Sequence, residues 1–587
     1  MSDHTRIIPS HGWRLAQWAG LLGSILSLSA GCLKPYCEED ADCAEDQRCN
    51  LDRKRCEARV PQDSGGLDGG DAAADAGLDA STGCVQDDCD NPTPICDATS
   101  LECRSCAQDQ ECASLGIGRP WCDGTSCVEC HDSVLHCAES SPICDATSLE
   151  CRGCQRDEEC IDLAVGRPWC MGSSCAECST SAHCLQAEKA VCDSASHACR
   201  PCETHGECEL FGGICDEGAC LPEAQILYVD ASATCAGATG SRAAPFCEIS
   251  QALNTSWTGR RVVHVANGTY SPFTVTDQSW IVGAGGDVIV DAAGATQSPT
   301  VWVTNQIQTD AADVVLEGLE ITGAHSTRAG LFCNTAEGPP LLTMRGCTVS
   351  GNADKGLVLN GCTSTLIENE IFGNVTTGLS LSGGSATLYK NHIHDNLVGL
   401  DLTSSALDLD ANRIELNPGG GVQIDKCTGM ISNNLIVNNG DIIGTVGAVF
   451  IKDTAGTLVL LHNTIADNQT SEPGHNPGVF CNTTLTNCFE VALNSNLLSN
   501  PVNPPRADLS DGFEPLYCFI GTGSVSTIHG NITGDPAFVD HVDYRLAPGS
   551  PCLGTGDPGI WVATDRDGEN RPQPAGTRPD IGADEAP

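Results

Sequence analysis

Aromatic residues are scarce in this sequence, at 4% of its 587 residues. So few large rings argue against a single large aromatic-rich core. The chain instead contains 63 glycines and 39 cysteines, a composition that favours turns, repeats and disulfide cross-links. Its length leaves room for several domains.

Basic residues are also few. The sequence has 30 Lys and Arg against 77 Asp and Glu, so its formal net charge is −47. Proteins bind nucleic acids largely by neutralising phosphates with Lys and Arg, and this balance therefore excludes a nucleic-acid partner. For the same reason we do not expect direct contact with anionic membrane surfaces.

The N-terminal apolar stretch LAQWAGLLGSILSLSAGC falls short of the roughly 20 apolar residues that span a membrane. It follows Arg6 and Arg14, as in a bacterial export signal. Its last letters, SAGC, resemble the lipobox of bacterial lipoproteins, which implies cleavage before Cys32 and lipid on the Cys32 thiol and new amine. We therefore expect residues 1–31 to be a lipoprotein signal peptide, and Cys32 to anchor the exported protein at the outer membrane or cell surface. An ordinary secretory signal with a chance cysteine is the alternative.

Cysteines divide the rest of the chain. Without Cys32, 38 of the 39 remain, and this even number predicts that all of them pair in an oxidising compartment. From Cys37 to Cys220, 28 cysteines fall into seven groups of four. The first group predicts a membrane-proximal unit at 32–57, with Cys37, Cys43, Cys49 and Cys56. A flexible tether at 58–83, rich in Asp, Gly and Ala, and six disulfide repeats at 84–221 follow.

The sequence PICDATSLECR occurs at residues 94–104 and again at 142–152, one pair of repeat units apart. Each unit is too small to fold on buried apolar surface alone, so we expect two disulfides in each. Zinc held by the Cys-x-x-Cys junctions is the alternative, and export argues against it. The cysteine spacing resembles short Cys-rich repeats of secreted bacterial proteins and, more loosely, the N-terminal region of Dickkopf proteins. That resemblance implies small disulfide modules for binding.

A phrase of the form Asn-x-Ile-x-x-Asn recurs later in the chain, beginning at Asn369, Asn391, Asn412, Asn434 and Asn463. The regular steps between copies are 21 or 22 residues. Such a period, with three short strands in each repeat, predicts a parallel β-helix at residues 225–587. The isoleucines should stack inside the coil. The asparagines should occupy turns, tolerate left-handed dihedrals and hydrogen-bond as ladders.

These repeats, with the opening YVDA to NGTY segment and the closing GDPAFVDHVDYRLAPGSPCLGTGD segment, resemble right-handed parallel β-helix proteins of the pectate-lyase-like superfamily. The resemblance implies an all-β fold: a right-handed parallel β-helix with a C-terminal tail, preceded by the disulfide modules. It does not select an activity, because this fold carries lyases, hydrolases, tailspikes and adhesins. We expect Cys235 and Cys247 to clip the first loop, and the segment CEISQALN to cover the first coil.

One candidate surface is the outward row on the strand after each turn, formed by Phe332, Val358, Ser380, Asp401, Gln423, Phe450 and Phe480. Asp401 is the single carboxylate of this row and a candidate binding residue. A glycosidase needs at least two carboxylates that flank the scissile bond, so the row favours binding over hydrolysis.

The neighbouring face is a second candidate surface, with Glu370, His394 and Glu415 as candidate binding residues. A calcium-dependent lyase needs acidic metal ligands and a base, and the catalytic candidates here are Lys390, His392, Asp408, Asp410 and Arg413. The same side chains fit ordinary charge pairs across adjacent strands. Calcium is expected only for the lyase alternative, and the stretch DRDGEN at Asp565 fits a polar turn as well as a calcium loop. We expect no other metal or cofactor.

Together these patterns predict an exported, lipid-anchored surface protein whose β-helix face binds carbohydrate or another surface polymer without chemistry. A polysaccharide lyase or glycoside hydrolase acting on an acidic polysaccharide is one alternative. Another alternative makes the Cys-rich repeats the protein-binding element and the β-helix a spacer.

Overall fold

The computed structural model describes residues 6–8, 47–50, 55–58, 89–90, 92–97, 99–100, 102–130, 132–163, 165–293, 298–304, 313–334, 340–440, 446–482, 490–502, 505–523 and 525–586. Cys32, Cys37 and Cys43 lie outside these ranges, as do nearly all of the predicted signal peptide and tether. The chain divides into two compact units, Trp13–His131 and Met1–Gly12 with Asp132–Pro587. No helix within the described ranges is both long and apolar enough to span a bilayer.

Each Cys-rich module contains a short antiparallel hairpin, in which one cysteine lies opposite another, as Cys122 lies opposite Cys127. The hairpins pair Gln47–Asn50 with Arg55–Ala58, Ile95–Cys96 with Cys103–Arg104, Trp121–Cys122 with Cys127–Val128, Ile143–Cys144 with Cys151–Arg152, Trp169–Met171 with Ser174–Ala176, Val191–Cys192 with Cys199–Arg200, and Cys215–Asp216 with Ala219–Cys220. Short helices lie at Asp109–Ala113, Ser133–His136, Asp157–Asp162, Ser181–His183, Ala187–Lys189, His205–Cys208 and Glu223–Gln225. A further strand spans Arg6–Ile8.

In the modules that the structure describes, disulfides join the first cysteine to the third and the second to the fourth. The fully described pairs are Cys106–Cys122, Cys112–Cys127, Cys154–Cys170, Cys160–Cys175, Cys178–Cys192, Cys184–Cys199, Cys202–Cys215 and Cys208–Cys220. Cys89–Cys103 and Cys137–Cys151 are second-to-fourth links of the same kind. The predicted disulfide modules are confirmed, and the thiolates that zinc would need are used in these bonds.

An arginine clamps one module to the next at every second junction. Arg152 follows the last cysteine of its module and donates through Nε to Asp145 Oδ2 at 3.2 Å and through Nη2 to Glu159 Oε1 at 2.8 Å. Asp145 belongs to the same module as Arg152 and Glu159 belongs to the following one. The guanidinium fork therefore fixes their relative orientation.

This clamp explains the repeated undecapeptide. Arg104 pairs with Asp97 and Glu111, and Arg200 pairs with Asp193 and Glu207, in the same arrangement. At the intervening junctions the position of the arginine is taken by Val128 and Ala176, which cannot make these bonds. The structural repeat is therefore a clamped pair of modules, and both copies of the phrase supply the aspartate and the arginine.

From residue 226 the chain coils into a parallel β-helix with three faces, named here sheets A, B and C. A typical coil contributes a strand to sheet C, then to sheet A, then to sheet B. Each strand pairs in parallel with its counterpart in the next coil, as Glu370–Phe372 pairs with His392–His394. The long strands Val422–Ser432 and Val449–Leu461 bend from sheet C into sheet A and join these two faces.

The strands of the three sheets follow in chain order. Sheet A comprises Ile226–Val229, Arg261–Val265, Ser279–Gly283, Asp313–Glu317, Leu341–Arg345, Thr363–Ile367, Ser385–Tyr389, Ala406–Asp410, the ends of the two long strands, and Val491–Asn494. Sheet B comprises Gly268–Tyr270, Val288–Asp291, Glu320–Thr322, Thr348–Ser350, Glu370–Phe372, His392–His394, Arg413–Glu415, Leu435–Val437, Thr464–Ala466, Leu497–Ser499 and Phe519–Ile520. Sheet C comprises Phe273–Val275, Val301–Thr304, Leu331–Asn334, Leu357–Asn360, Thr377–Ser382, Val398–Thr403, the starts of the two long strands, and Val479–Cys481.

The interior of the coil is apolar and stacked in register. The central isoleucines of sheet B lie on successive coils and are at most 1% exposed: Ile371, Ile393, Ile414, Ile436 and Ile465. Leu379, Leu400 and Val422 form a second stack on sheet C. Both predicted stacks are confirmed, and each such buried side chain stabilises the fold by about 1.5–3 kcal/mol.

Two asparagine ladders run along the interior beside these stacks. In both, Nδ2 of one asparagine donates to Oδ1 of the next, as from Asn391 to Asn412 at 2.9 Å. The backbone N–H of Asn391 donates to the same Oδ1, and its Nδ2 also donates to the carbonyl of Leu366. One ladder contains Asn369, Asn391, Asn412, Asn434, Asn463 and Asn496, and the other Asn352, Asn374, Asn396, Asn417, Asn439, Asn468 and Asn500.

The ladder asparagines do not themselves use the left-handed dihedrals that they were predicted to tolerate. Positive φ occurs one residue earlier, as at Lys390 with φ 54° and Ala411 with φ 57°. The turn residue takes the left-handed conformation and thereby aims the following asparagine inward, where it is at most 2% exposed for Asn369 to Asn417. The position therefore requires asparagine for its inward amide, which pairs with buried backbone groups, and not for the left-handed conformations that asparagine can adopt.

Not all cysteines pair, as the even count predicted. Cys347, Cys427, Cys518 and Cys552 are free and buried. Cys347 and Cys518 occupy ladder positions at the two ends of the first ladder, one coil before Asn369 and one coil after Asn496. Burial raises the pKa of both thiols to about 12, so they stay protonated and fill these sites as small apolar groups.

The N-terminal end of the coil is covered by the helix Ile249–Asn254, as predicted, and its Ile249 is fully buried. A disulfide joins Cys235 to Cys247 in the preceding loop. The last Cys-rich module packs on the outer surface of sheet A, where Ile214 contacts a cluster that includes Tyr228 and Trp280. This contact fixes the module to the β-helix.

The C-terminal tail folds back over sheet B after the helix Thr527–His529. Phe538 and Tyr544 pack against Leu435, Val437 and Ala466 on the outer surface of that sheet. Farther along, strand Ile560–Val562 leads to an ion pair between Arg571 and Glu585, 3.0 Å apart, with both side chains fully buried. The tail is therefore an integral layer of the β-helix domain.

The ladder predicts a large stability loss from a single interior amide. Asn412→Ala leaves two buried donors of Asn391 without an acceptor, and it removes the donor to Asn434. We expect the free energy of unfolding to fall by at least about 3 kcal/mol in urea titrations. The control Asn360→Ala, at an exposed position of sheet C, should change it by less than about 0.5 kcal/mol. Equal losses in the two variants would contradict the ladder as a stabilising element.

Candidate functional site

The structure brings five predicted residues together on the outer surface of sheet B. Glu370, His392 and Arg413 lie opposite one another on successive strands, and His394 and Glu415 follow two residues along. The alternation of each strand points the isoleucine between them into the core and these side chains outward. The cluster is thus a direct consequence of the repeat period.

Glu415 is the centre of the charge network. His392 Nε2 lies 2.8 Å from Glu415 Oε1, and Arg413 donates to Oε1 at 2.6 Å and to Oε2 at 2.7 Å. Glu415 is 8% exposed. Burial raises the pKa of its carboxyl group, but the bonds from His392 and Arg413 outweigh this effect and hold the pKa at about 2.

His394 makes a second set of contacts beside this network. Its Nε2 lies 3.3 Å from Glu370 Oε1 and its Nδ1 lies 2.8 Å from Asp395 Oδ2. The ring stacks on His392, with centroids 4.0 Å apart, and on Phe372, with centroids 5.0 Å apart. Each ring nitrogen of His394 therefore already has a carboxylate partner.

The C-terminal tail borders the cluster. Arg413 Nη2 donates to the carbonyl of Val542 at 2.9 Å, and Asp467 Oδ2 accepts from Tyr544 at 2.8 Å. Burial is the main cause that raises the pKa of the Tyr544 hydroxyl, and the hydrogen bond to Asp467 raises it further. Arg413 thus connects the charge network of sheet B to the tail.

The other catalytic candidates lie apart from this cluster. Lys390 is in the turn between sheets A and B, and its ammonium lies 5.3 Å from the centre of the Tyr389 ring. Asp408 and Asp410 belong to sheet A. Asp408 is exposed, whereas Asp410 is 6% exposed and accepts hydrogen bonds from Ser432 at 2.8 Å and Asn433 at 3.0 Å.

The arrangement on sheet B fits cross-strand charge pairing. Arg413 donates to both oxygens of Glu415 and His392 lies beside Oε1, so this carboxylate is already paired within the sheet. The carboxylates of Asp408 and Asp410 are on a different sheet. The residues predicted for a lyase therefore lie on two different sheets. Those that meet on sheet B pair their charges with one another.

The DRDGEN stretch forms a polar turn. Asp565 is 3% exposed, and its Oδ1 accepts the backbone N–H groups of Asp567 and Glu569 at 2.9 and 2.8 Å. Its Oδ2 accepts the N–H of Glu585 at 3.0 Å. Both oxygens bind backbone donors, so this carboxylate stabilises the tail.

Sheet C carries the other candidate surface, and its register matches the predicted row. Phe332, Val358, Ser380, Asp401, Gln423, Phe450 and Phe480 are consecutive cross-strand partners. The structure extends the row by two coils, to Thr274 and Trp302. Asp401, the predicted binding residue, lies at its middle, on a different face from Glu370 and Glu415.

Aromatic side chains stand at both ends of this row. Trp302 is 37% exposed, and its indole N–H donates to Asn334 Oδ1 at 2.8 Å, which fixes the ring. At the other end Phe450 stacks on Phe480, with centroids 5.6 Å apart, and His475 stacks on Phe480 at 4.1 Å. Sequence reasoning missed Trp302 and His475. The alternation of VWVT indicates Trp302, but no periodic signal marks His475, which lies in a long loop.

A second outward row runs parallel to the first on sheet C. It begins at Thr304, which is 4% exposed, and continues through Asn334, Asn360, Ser382, Thr403 and Asp425. Amides and hydroxyls dominate it, and these groups both donate and accept hydrogen bonds. The face therefore combines flat apolar rings at its ends with mostly uncharged polar groups and two carboxylates, Asp401 and Asp425, between them.

A family model described as "Right handed beta helix region" matches residues 329–496. Among solved structures, pectate lyase Pel9A is similar at 15% identity and TM-score 0.40, covering 62% of this chain and 96% of its own. The complex of XylC with xylose is similar at 10% identity and TM-score 0.41, and the match covers 62% of this chain and 98% of XylC. The A-module of Azotobacter vinelandii mannuronan C-5 epimerase AlgE4 is similar at 14% identity and TM-score 0.32, and the match covers 52% of this chain and 95% of the AlgE4 module. No curated protein matches the sequence. The family match and the three parallel sheets identify a right-handed parallel β-helix.

The depressed pKa of Glu415 predicts acid-dependent stability. Its folded pKa of about 2 lies below the ordinary value of 4.5, so its contribution is present above pH 4.5 and is lost as the pH falls towards 2. We expect Glu415→Gln to lower the free energy of unfolding by about 2 kcal/mol at neutral pH, and by progressively less towards that acidic limit.

The matched control is Glu370→Gln, because the Glu370 side chain is 49% exposed. Its effect on stability should stay within about 0.5 kcal/mol across the same range. Urea unfolding at a series of pH values measures both variants. A Glu415→Gln deficit that did not change with pH would contradict the network.

Proposed function

We propose that this protein binds an extended carbohydrate polymer along the outer face of sheet C and does not transform it. The observation that carries the proposal is the pair of aromatic groups at the two ends of one outward row, Trp302 with Phe332 and Phe450 with Phe480. Pyranose rings present apolar C–H faces as well as hydroxyls, and exposed flat rings provide the matching apolar surface.

The spacing of the aromatic groups favours a polymer over a small sugar. Phe332 and Phe450 are five coils apart, which corresponds to about 24 Å at the usual strand separation of about 4.8 Å. Only an extended chain reaches both groups at once. Contacts at both ends of one chain raise the affinity because the second contact is intramolecular.

The polar groups between the aromatic ends support binding rather than bond cleavage. Asp401 is the one carboxylate of the first row, and Ser380 and Gln423 flank it. Cleavage by general acid and base needs two suitably spaced carboxylates. Hydroxyl and amide side chains instead suit the hydrogen-bonding groups of a bound glycan.

Aromatic substitutions test this proposal. Trp302→Ala and Phe450→Ala in the full-length protein should each weaken binding to a recognised polysaccharide about tenfold, as measured by calorimetry after a glycan screen. Phe372→Ala is the matched control, because Phe372 is an outward aromatic residue on sheet B. Unchanged affinity in both sheet C variants, or an equal loss in the control, would contradict binding on sheet C.

We further propose that the protein is exported and held at the cell surface by lipid on Cys32. The export signal and its SAGC ending support this proposal. The acidic tether and the clamped modules would then hold the β-helix away from the membrane.

Detergent phase separation of cell extracts tests the anchor. Wild-type protein should enter the detergent phase and Cys32→Ala should enter the aqueous phase, since several acyl chains anchor a protein stably. Ser24→Ala, upstream of the expected cleavage site, is the control and should behave as wild type. Recovery of the wild-type protein in the aqueous phase would contradict lipidation.

A further inference from the structure

We infer that the polymer bound on sheet C is uncharged, and that this face discriminates against polyuronates and other anionic glycans. This inference rests on the proposed function and names the class of ligand. It depends on three features of the face: the lack of arginine at the described positions of its two outward rows, the contacts that the nearest lysines make within the face, and the chemistry of its polar groups.

Among the described positions of the two outward rows of sheet C, Lys452 is the one basic residue, two residues after Phe450 at a register shift beside Asp425. The first row runs from Thr274 through Asp401 to Phe480, and the second from Thr304 through Asn360 to Asp425. Carboxylates of a polyuronate are recognised by Arg, which binds them through two parallel bonds, or by Lys. These rows supply no arginine, and their charged members are Asp401, Asp425 and Lys452.

The lysines that border the face are already engaged. Lys355 Nζ donates to Ser380 Oγ at 3.0 Å. Lys452 Nζ forms an ion pair with Asp425 Oδ2 at 3.2 Å. Each of these ammonium groups therefore has a partner within the face. Lys452 in addition neutralises Asp425, which leaves Asp401 as the charge that an approaching polymer meets at the centre.

The remaining polar groups match the hydroxyls of a neutral glycan. Gln423, Asn360 and Thr403 both donate and accept, as sugar hydroxyls do. Asp401 accepts from hydroxyls, and it repels a carboxylate held at the same place. The net charge of −47 adds a general repulsion of polyanions, which slows their association at low salt.

A comparison of polymers tests the inference with the full-length protein. We expect a neutral β-glucan or xylan to bind with an affinity that changes little between low and physiological salt, because no ion pair is formed. Polygalacturonate and alginate should bind at least about tenfold more weakly. A Trp302→Ala variant shows for each polymer whether binding uses sheet C.

A charge-introducing variant gives a second readout. Asp401→Lys places a cation at the centre of the face and should raise the affinity for polygalacturonate about fivefold in a salt-dependent manner. Glu370→Lys makes the same change in charge on sheet B, and should leave polygalacturonate binding near the wild-type value. Circular dichroism verifies that both variants are folded.

The outcomes separate the two proposals. Tighter binding of a polyuronate than of any neutral polymer, weakened by Trp302→Ala, would overturn the inference and leave carbohydrate binding on sheet C intact. No binding of neutral, anionic or cationic glycans would overturn the proposed function itself. Preferential binding of a cationic glycan such as chitosan, abolished by salt, would also overturn the inference, because it would show recognition by charge.

Discussion

The inward asparagine ladders are the interaction on which the rest of the β-helix depends. A coil that turns sharply between sheets leaves backbone N–H and C=O groups in an apolar interior, where each unpaired group is costly. The ladder amides satisfy these groups, as Asn391 does for the carbonyl of Leu366, and they bond to the next coil at the same time. One type of side chain therefore closes the turns and fixes the register between coils.

Fixed register is also what made the fold predictable from sequence. In every copy the isoleucine follows the asparagine by two residues, as Ile393 follows Asn391. This constant spacing predicts which side chains stack inward and which neighbours point outward, including the row through Asp401. The left-handed residue was not predictable in this way. Glu368, Lys390 and Ala411 share no side-chain chemistry, so their common φ comes from the asparagine that follows them.

Features that depend on distant segments could not be read from the period. The bond from Arg413 to Val542 joins residues 129 positions apart. Asn433 donates to both Asp410 and the carbonyl of Thr564, and in this way it connects Asp410 to the C-terminal tail. The free thiols have a similar origin, since Cys347 and Cys518 replace asparagines where a ladder begins and ends. An even count of cysteines carries no information about such replacements.

The Cys-rich modules and the β-helix are stabilised by different interactions. The modules are too small for a core and rely on disulfides and on clamps such as Arg152, which join them in pairs. The β-helix relies on the ladders and needs few covalent links. Both strategies fix the backbone that carries the surface side chains by bonds within the protein. Because Trp302 and Phe450 stand on strands and not on mobile loops, a bound polymer would bear most of the loss of conformational freedom itself. The proposed function on sheet C would therefore favour a polymer that is already stiff and extended.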